Sequence, residues 1–571
     1  MKTITELKAL YEMDRKANES SIKEYYEAKE YYHGNQLPSD VLAVIKERGQ
    51  TPIIENIYKM IVAKILGYKS ESIQEVKLSG RQVEDKAKAT LLNDILKVFS
   101  QQKSFDKEII KRDKELIFGM AVMCLWIVQD EEGDFHIELE NVPSDCFIID
   151  KFSLEKDASD ARRFHRRLNL SASEARRLFG EDVIIDELDE YEPRTTIIES
   201  WIKEDDFDEN GKKMSSFNRY CFSEKGQLYL YEKAPFKTAS HPFVIAKYSI
   251  DEKHRWYGLF RDIKPLQDYI NFAENRMANM MGSLKAFFEE GAVIDAQSFI
   301  SEASLDNAIV KVRDGALKEN KIHFVQHHAD ISVLSQKANE KRNLAKILSG
   351  LNDEALGTAI NRQSGVAIAQ RRDAGLMGLS EYIKTSDEMD KDIFRKALDL
   401  IMHYFTKKQV FKIVDKKVGE RFFTINDSEE NTIKVGKFDL IYQTQLKTQG
   451  REERFAHWSE MLKTIASIRP DIVANILPLM LKDTNSPIAE DLEELLAQAE
   501  EAQAQSSPQE AKMQEMQMQL AIKEMQAKIS ELEAKAYKYT AQGELANQIA
   551  QQNANNEDQT QSPREKGIDL R

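Results

Sequence analysis

Apolar residues recur three and four positions apart through much of the chain, the spacing that places one face of an α-helix on a core. Ile57, Ile61 and Ile65 follow this rule after Asn56, and the periodicity predicts a helix stopping at Gly67. A first helix, studded with Tyr25, Tyr26, Tyr31 and Tyr32, precedes it and is ended by the turn chemistry of Gly34-Asn35-Gln36-Leu37-Pro38. Residues 81–120 read as helical again. From about 121 to 250 the pattern becomes alternating, as in His136-Ile137-Glu138-Leu139 and Gln227-Leu228-Tyr229-Leu230-Tyr231, with turn signals at Glu132-Gly133-Asp134 and Glu209-Asn210-Gly211. That alternation predicts hairpins in a mixed α+β region.

The most regular stretch is a heptad seam of Ile263, Leu266, Ile270, Ala273, Met277, Met280 and Leu284, in which Pro265 fits the first turn or a kink. After strand-like runs from Phe287 to Val325, a second helix carries Leu334, Ala338, Ala345 and Leu348 and ends at Gly350. An interruption, Leu351 to Gly365, precedes a third long helix with Leu376, Leu379, Ile383, Ile393, Ala397, Leu400 and Tyr404 in register. Such seams imply helices packed side by side, with more apolar face than one subunit covers. Strand character returns over 410–445, and helices resume at Arg451, broken by Pro470, Pro478 and Pro487. Beyond Pro508 a Met- and Gln-rich seam, from Met518 to Tyr539, is coiled-coil-like, and the polar residues from Gln551 on are expected to be disordered.

Composition sharpens this picture of a helix-rich, mixed α+β chain. Gly 23 and Pro 12 in 571 residues are about half the usual share of these helix breakers. The three cysteines, Cys124, Cys146 and Cys221, are too few for a disulfide framework and suit a reducing compartment. Met1 to Lys8 shows no secretory signal, and the longest apolar run, Gly119 to Val128, falls far short of a membrane span, so it reads as a buried strand or helix end. A net charge of −15 argues against a protein that grips DNA through a basic face.

Enzyme motifs are missing. Gly350 to Thr358 lacks the lysine and spacing of a phosphate loop, and no Gly-x-Ser-x-Gly elbow or His-Glu-x-x-His helix occurs. His323, His327 and His328 read as surface residues rather than metal ligands, so no catalytic residue, metal or cofactor is expected. The one basic cluster, Arg162-Arg163-Phe164-His165-Arg166-Arg167 with Arg176-Arg177, has two readings: nucleic-acid contact, or salt bridges on the surface or to a neighbouring subunit.

Several segments, in order, carry a resemblance. Tyr32 to Pro38 and Arg48 to Ile57 resemble an opening pattern G-x-Q … R … P … N, here Gly34, Gln36, Arg48, Pro52 and Asn56. Asn141-Val142-Pro143 to Ala161, then Leu170 to Ala175 and Phe179-Gly180, look like a wing segment. Gly258, Gln267 and Asn271 match a G … Q … N stem signature, and Gln363 to Arg372 resembles an S-G-x-A-I helix entry. Lys437 to Leu440, then Thr448 to Glu453, are similar to a returning strand and its following helix. Together these segments resemble the portal (head-to-tail connector) proteins of tailed bacteriophages, of the short-tailed-phage type with a C-terminal helical extension.

The resemblance implies a portal fold of wing, stem, clip and crown with long stem helices and a C-terminal coiled-coil-like helix. It divides the chain into an N-terminal α+β wing (1–255), a first stem helix (256–284), a clip (285–325) and a second stem helix (326–350). A channel loop (351–365), a long helix with returning wing strands (366–445), a helical crown (446–505) and a C-terminal barrel-like helix with disordered tail (506–571) follow. The implied function is a ring at one capsid vertex through which viral double-stranded DNA is packaged and ejected. Implied partners are other copies of the chain in a dodecameric ring, the terminase packaging motor, a tail adaptor, and capsid and scaffolding proteins, with no membrane. The protein would be assembled in the host cytoplasm and reside in the virion. Thr358, Asn361, Arg362 and Gln363 would lie near DNA in the channel loop, and Phe287, Phe288, Lys318, Glu319 and Lys321 would form the clip surface that binds motor and adaptor. The competing reading is a non-portal coiled-coil scaffold or head-tail adaptor.

Overall fold

A computed structural model describes residues 2–70, 72–80, 86–131, 133–186, 191–207, 213–281, 285–303, 311–325, 328–350, 379–415, 419–427, 432–433 and 438–446, and beyond these Trp458, Met461, Leu462, Ile465 and Ile476. The chain divides into a unit of residues 1–448 and a second of 449–571. The regions read as channel loop, crown and C-terminal helix therefore lie wholly or almost wholly outside the described residues.

Helix α1 (Ile4–His33) is fixed at both ends by its own sequence. Thr3 and Glu6 form a reciprocal capping box, and Gly34 closes the C-terminus at φ 98°, a left-handed conformation natural to glycine. Then come α2 (Ser39–Glu47), α3 (Ile57–Ser70), β1 (Ser72–Gly80), α4 (Lys86–Ser100) and α5 (Phe105–Phe118). Strands β2 (Met120–Gln129), β3 (Phe135–Val142), β4 (Phe147–Ile149) and β5 (Arg163–Ser171) lead to α6 (Ala172–Phe179). Strands β6 (Arg194–Phe207), β7 (Lys213–Ser223), β8 (Leu228–Glu232), β9 (Phe243–Lys247), β10 (Ser249–Ile250) and β11 (Trp256–Tyr257) precede α7 (Phe260–Met281). The chain continues through β12 (Lys285–Phe288), α8 (Ala296–Ala303), β13 (Ile322–Val325), α9 (His328–Leu348), α10 (Ser380–Tyr404), β14 (Gln409–Asp415), β15 (Gly419–Ile425) and β16 (Phe438–Leu446).

The apolar run after Gly119 becomes β2, the central strand of a three-stranded sheet ordered β3-β2-β9. It is buried from Met120 to Leu125 and packed against α5 and α10, so it lacks the alternation of a half-exposed strand. A five-stranded antiparallel sheet, β4-β5-β6-β7-β8, carries the alternating runs. The main core joins these sheets to α1, α3, α4, α5, α7 and α10 through residues such as Tyr58, Phe118, Trp201, Phe260 and Ile393. A mixed α+β fold is thus what forms.

Four features differ from the sequence reading. Helix α2 was not expected, and α3 runs past Gly67 to Ser70. The 81–120 segment is two helices, with a break over 101–104. Strand β1 carried no local signal, because its partner is β16, with Ser72 opposite Leu446. Pro265 lies in the second turn of α7 rather than the first, because the helix begins at Phe260. That start is set by contact with α5: a side chain on Gly258 would meet the carbonyl oxygen of Ile117 at 2.4 Å, and Leu259 N–H donates to the same oxygen (3.1 Å). Only glycine allows so close an approach.

Candidate functional site

Helices α7 and α9 pack against each other, and the antiparallel ribbon β12–β13 joins them at one end. The heptad seam is the inner face of this arrangement. Ile263, Leu266, Ile270, Ala273 and Met277 are buried within the single chain, as are Ala338 and Ala345 of α9. The expectation that one subunit could not cover these seams is therefore corrected: the neighbouring elements of the same chain already do so. What stays uncovered is a different set of residues. Phe272, Met281, Val333, Leu344, Ile347 and Leu348 are exposed, Ile347 at 73% and Phe272 at 59%. Leu348, expected on the buried face, belongs to this outer set.

On another stripe of α7 stand Gln267, Asn271, Asn275 and Asn279, four residues apart and so aligned along one face. Each reaches the segment between α1 and α3. Gln267 Nε2 donates to the Glu55 carbonyl (2.7 Å), and its Oε1 accepts from Tyr58 N–H (3.1 Å). Asn271 Nδ2 donates to Gln36 Oε1 (2.7 Å), while Gln36 Nε2 donates to the Tyr31 carbonyl (2.9 Å). Asn275 pairs with both backbone groups of Ile53, at 2.9 and 2.7 Å, and Gln50 Nε2 donates to Asn279 Oδ1 (3.3 Å). Asn56 completes the set, donating to the carbonyls of Tyr31 and Tyr32. Arg342 of α9 joins it through Glu55 (Nε to Oε1, 2.9 Å) and through Glu274.

The two motifs that stood some 220 residues apart in sequence thus meet in one hydrogen-bonded seam. Gln36, Gln267 and Asn271 are nearly fully buried, and such polar groups are tolerated only when partnered. Sequence reasoning singled out Gln267 and Asn271 but missed Asn275, Asn279, Glu55 and Arg342. The four-residue polar spacing along α7 was the available signal for the first two.

A second polar cluster holds α10, the helix that follows the described gap at 351–378. Lys69 Nζ lies 2.6 Å from Asp387 and 3.2 Å from Asp390, and Arg112 bonds Asp390 (2.6 Å) and Asp113 (2.8 Å). Ser386 Oγ donates to Asp113 (3.0 Å). Burial pushes the Asp113 carboxyl up against the pull of Arg112, whereas Lys69 is held above its ordinary value by Asp390, Asp113 and Asp387 despite its burial.

The expected clip residues gather on the ribbon. Phe287 is exposed on β12 opposite His323, while Phe288 turns inward, its ring edge-on to Phe299 at 5.5 Å. Lys321 follows a turn beside them, its carbonyl accepting from Glu289 N–H (3.0 Å), and its ammonium pairs with exposed Glu319. Lys318 is exposed on the same turn. Thr358, Asn361, Arg362 and Gln363 lie outside the described residues.

The arginine cluster resolves toward salt bridging, inside the chain. Arg162 pairs with Asp205 (3.3 Å), Arg166 with Glu140 (2.7 Å), Arg176 with Glu181 (3.7 Å), and Arg163 with Asp14 (2.7 Å) and Asp150. Asp14 also contacts His165 Nε2 (3.1 Å), whose Nδ1 lies 2.7 Å from Ser200 Oγ. A Ser-His-Asp series of this kind resembles a hydrolase triad, but all three side chains are completely buried. Burial pushes the Asp14 carboxyl up, and the hydrogen bonds from His165 and Arg163 outweigh it, leaving the group below its ordinary value. The trio ties α1 to β5 and β6. Among the described residues no group of His, Cys, Asp and Glu is arranged to hold a metal ion, and no helix is long and apolar enough to cross a membrane.

Comparison with known proteins adds two findings. Residues 8–539 match the model of a family described as phage P22-like portal protein. The chain is also similar to the portal protein of Helicobacter pylori bacteriophage KHP30, with 53% identity over 478 residues, 83% of this chain and 79% of that protein.

Proposed function

The chain belongs to the phage P22-like portal protein family, and from that premise we propose how its parts divide the work of a portal. A portal protein forms the ring at one capsid vertex through which viral double-stranded DNA enters and leaves, and it is a structural component rather than an enzyme. The observation that carries this reading is the family match across residues 8–539, joined to 53% identity with a phage portal protein. The reading of a non-portal scaffold or adaptor has no comparable support.

In our reading α7 and α9 are the stem helices, the β12–β13 ribbon with α8 is the clip, and the sheets with α1 to α6 form the wing. The exposed residues Phe272, Leu344, Ile347 and Leu348 then face the neighbouring subunit in a dodecameric ring. A ring closed by rotation joins two different faces of each subunit, so an apolar strip already free of intrachain duties suits one of them. The clip, with exposed Phe287 and the Lys318–Lys321 turn, binds the terminase motor and later the tail adaptor. The 351–365 segment, with Thr358, Asn361, Arg362 and Gln363, is the channel loop, and α10 behind it is held rigid by the Lys69–Arg112–Asp390 cluster. The 446–505 region forms the crown, and assembly takes place in the host cytoplasm with capsid and scaffolding proteins.

Negative-stain class averages of the purified protein test this reading. Closed rings with a central hole and dodecameric symmetry are expected; particles without a hole would overturn it.

A further inference from the structure

Two lysines of the described chain lie in surroundings that disfavour their charge, and the difference between them is informative. Lys247, at the end of β9, is 2% exposed and sealed under the 150–160 loop, with its ammonium bonded to Ser153 Oγ at 2.9 Å. Lys396, on α10, is mostly enclosed but opens onto a small cavity lined by Leu125, Phe236, Thr238, His241, Pro242 and Asp399. Its Nζ donates to the His241 carbonyl (2.6 Å) and to Ser240 Oγ (3.3 Å), both neutral acceptors. Among the described residues no carboxylate stands within ion-pair distance of it; Asp399 and Asp392 act only from farther off.

We propose that Lys396 is a modification site: an amine that reacts selectively with small acyl donors of the acyl-phosphate class, because a cavity gives them access to a nitrogen held by neutral partners. In the reaction the Nζ lone pair attacks the acyl carbon, and the carbon–oxygen bond to phosphate breaks with its electron pair leaving on inorganic phosphate. The nitrogen loses a proton to water, and an amide remains. The size of the cavity restricts the donor to a short acyl group, and the mouth is polar, with exposed Asp399 and partly exposed Thr238 and Ser240.

Electrostatics support the geometry. Burial lowers Lys396 to about 8, and Asp399, Cys124 and Asp392 counter it only in part. His241 beside it is pushed well below its ordinary value by burial and by Lys396 and Lys203, so it stays uncharged. An amine at about 8 is roughly one-quarter unprotonated at pH 7.5, against about a thousandth for an ordinary lysine. Lys247 is lowered equally, to about 8, yet has no cavity. Access, not basicity, separates the two.

The test is competitive labelling of the full-length assembled protein with limiting acetyl phosphate at pH 7.5, read by peptide mass spectrometry, with Lys396→Arg as the control. Lys396 should acetylate at least ~10-fold faster than exposed lysines such as Lys412, and Lys247 should stay unlabelled. Equal labelling of Lys396 and Lys412 would overturn the proposal, as would labelling of Lys247 at the rate of Lys396. Persistence of the assigned signal in Lys396→Arg would do the same.

Discussion

Asn271 of α7 and Gln36, just beyond α1, share a 2.7 Å hydrogen bond while each is at most 3% exposed. The bond fixes a long helix to the N-terminal helices at a point where neither partner can turn to water. Replacing Asn271 with Ala should cost about 1–3 kcal/mol, because Gln36 and Gln267 would each lose a buried partner. Thermal unfolding of Asn271→Ala against the parent protein measures it, and Phe272→Ser, on the exposed side of the same helix, should shift the midpoint far less.

The exposed strip of α7 and α9 makes the opposite demand. Ile347→Asp should leave the folded subunit intact, since Ile347 is 73% exposed, yet disperse the ring. Circular dichroism should be unchanged while native mass measurement shows smaller species. Intact rings would place the subunit contact elsewhere.

Clip substitutions should separate assembly from docking. Phe287→Asp and Lys318→Glu both alter exposed positions, so rings should form normally while affinity for the packaging motor falls. Lys321→Glu is a less clean variant, because it sets two acids beside each other at Glu319. The exposed Lys321–Glu319 pair contributes little to stability, so the loss should appear in motor binding rather than in unfolding.

Asp251 offers a pH prediction with a definite sign. Burial raises its carboxyl, but the backbone N–H groups of Arg255 and Lys253 and the Arg255 side chain outweigh that and bring it down to about 2. A carboxyl lowered on folding stabilises the protein fully above its unfolded value of about 4 and loses that contribution as the pH falls toward 2. Asp251→Asn should therefore be less stable than the parent at pH 6, with the difference shrinking between about pH 4 and 2. A constant difference over that window would show that the carboxylate charge is not what matters.

Removal of residues 358–363 should leave rings intact while packaging stalls or packaged DNA leaks. Normal genome yield from such rings would move the DNA contact away from Thr358, Asn361, Arg362 and Gln363.

Much of the helical frame was legible because its signals are local. The seam from Ile263 to Met277 marks α7, and the alternating runs mark β3, β6 and β8. What escaped depends on contacts between distant segments. Strand β1 is paired only with β16, and the seam residues of α7 find their cover in α9 and the core rather than in another subunit. The Lys69–Arg112–Asp390 cluster draws on three helices, none of which shows by itself that its charges will be buried together. The portal motifs were visible as text, but that Gln36 and Asn271 touch was not.

The pairing of β1 with β16 sets a schedule for synthesis. Ser72 emerges from the ribosome long before Leu446, yet each is the other's ladder partner. Closing so long a loop is slow and entropically costly, and until it closes β1 has an open edge. A nascent chain arrested before residue 438 should thus expose that edge to other chains on the same message, a hazard for a protein made at high local concentration. Ring assembly then waits for nearly the whole first unit to be translated, which keeps incomplete subunits out of a structure that a single defective member would spoil.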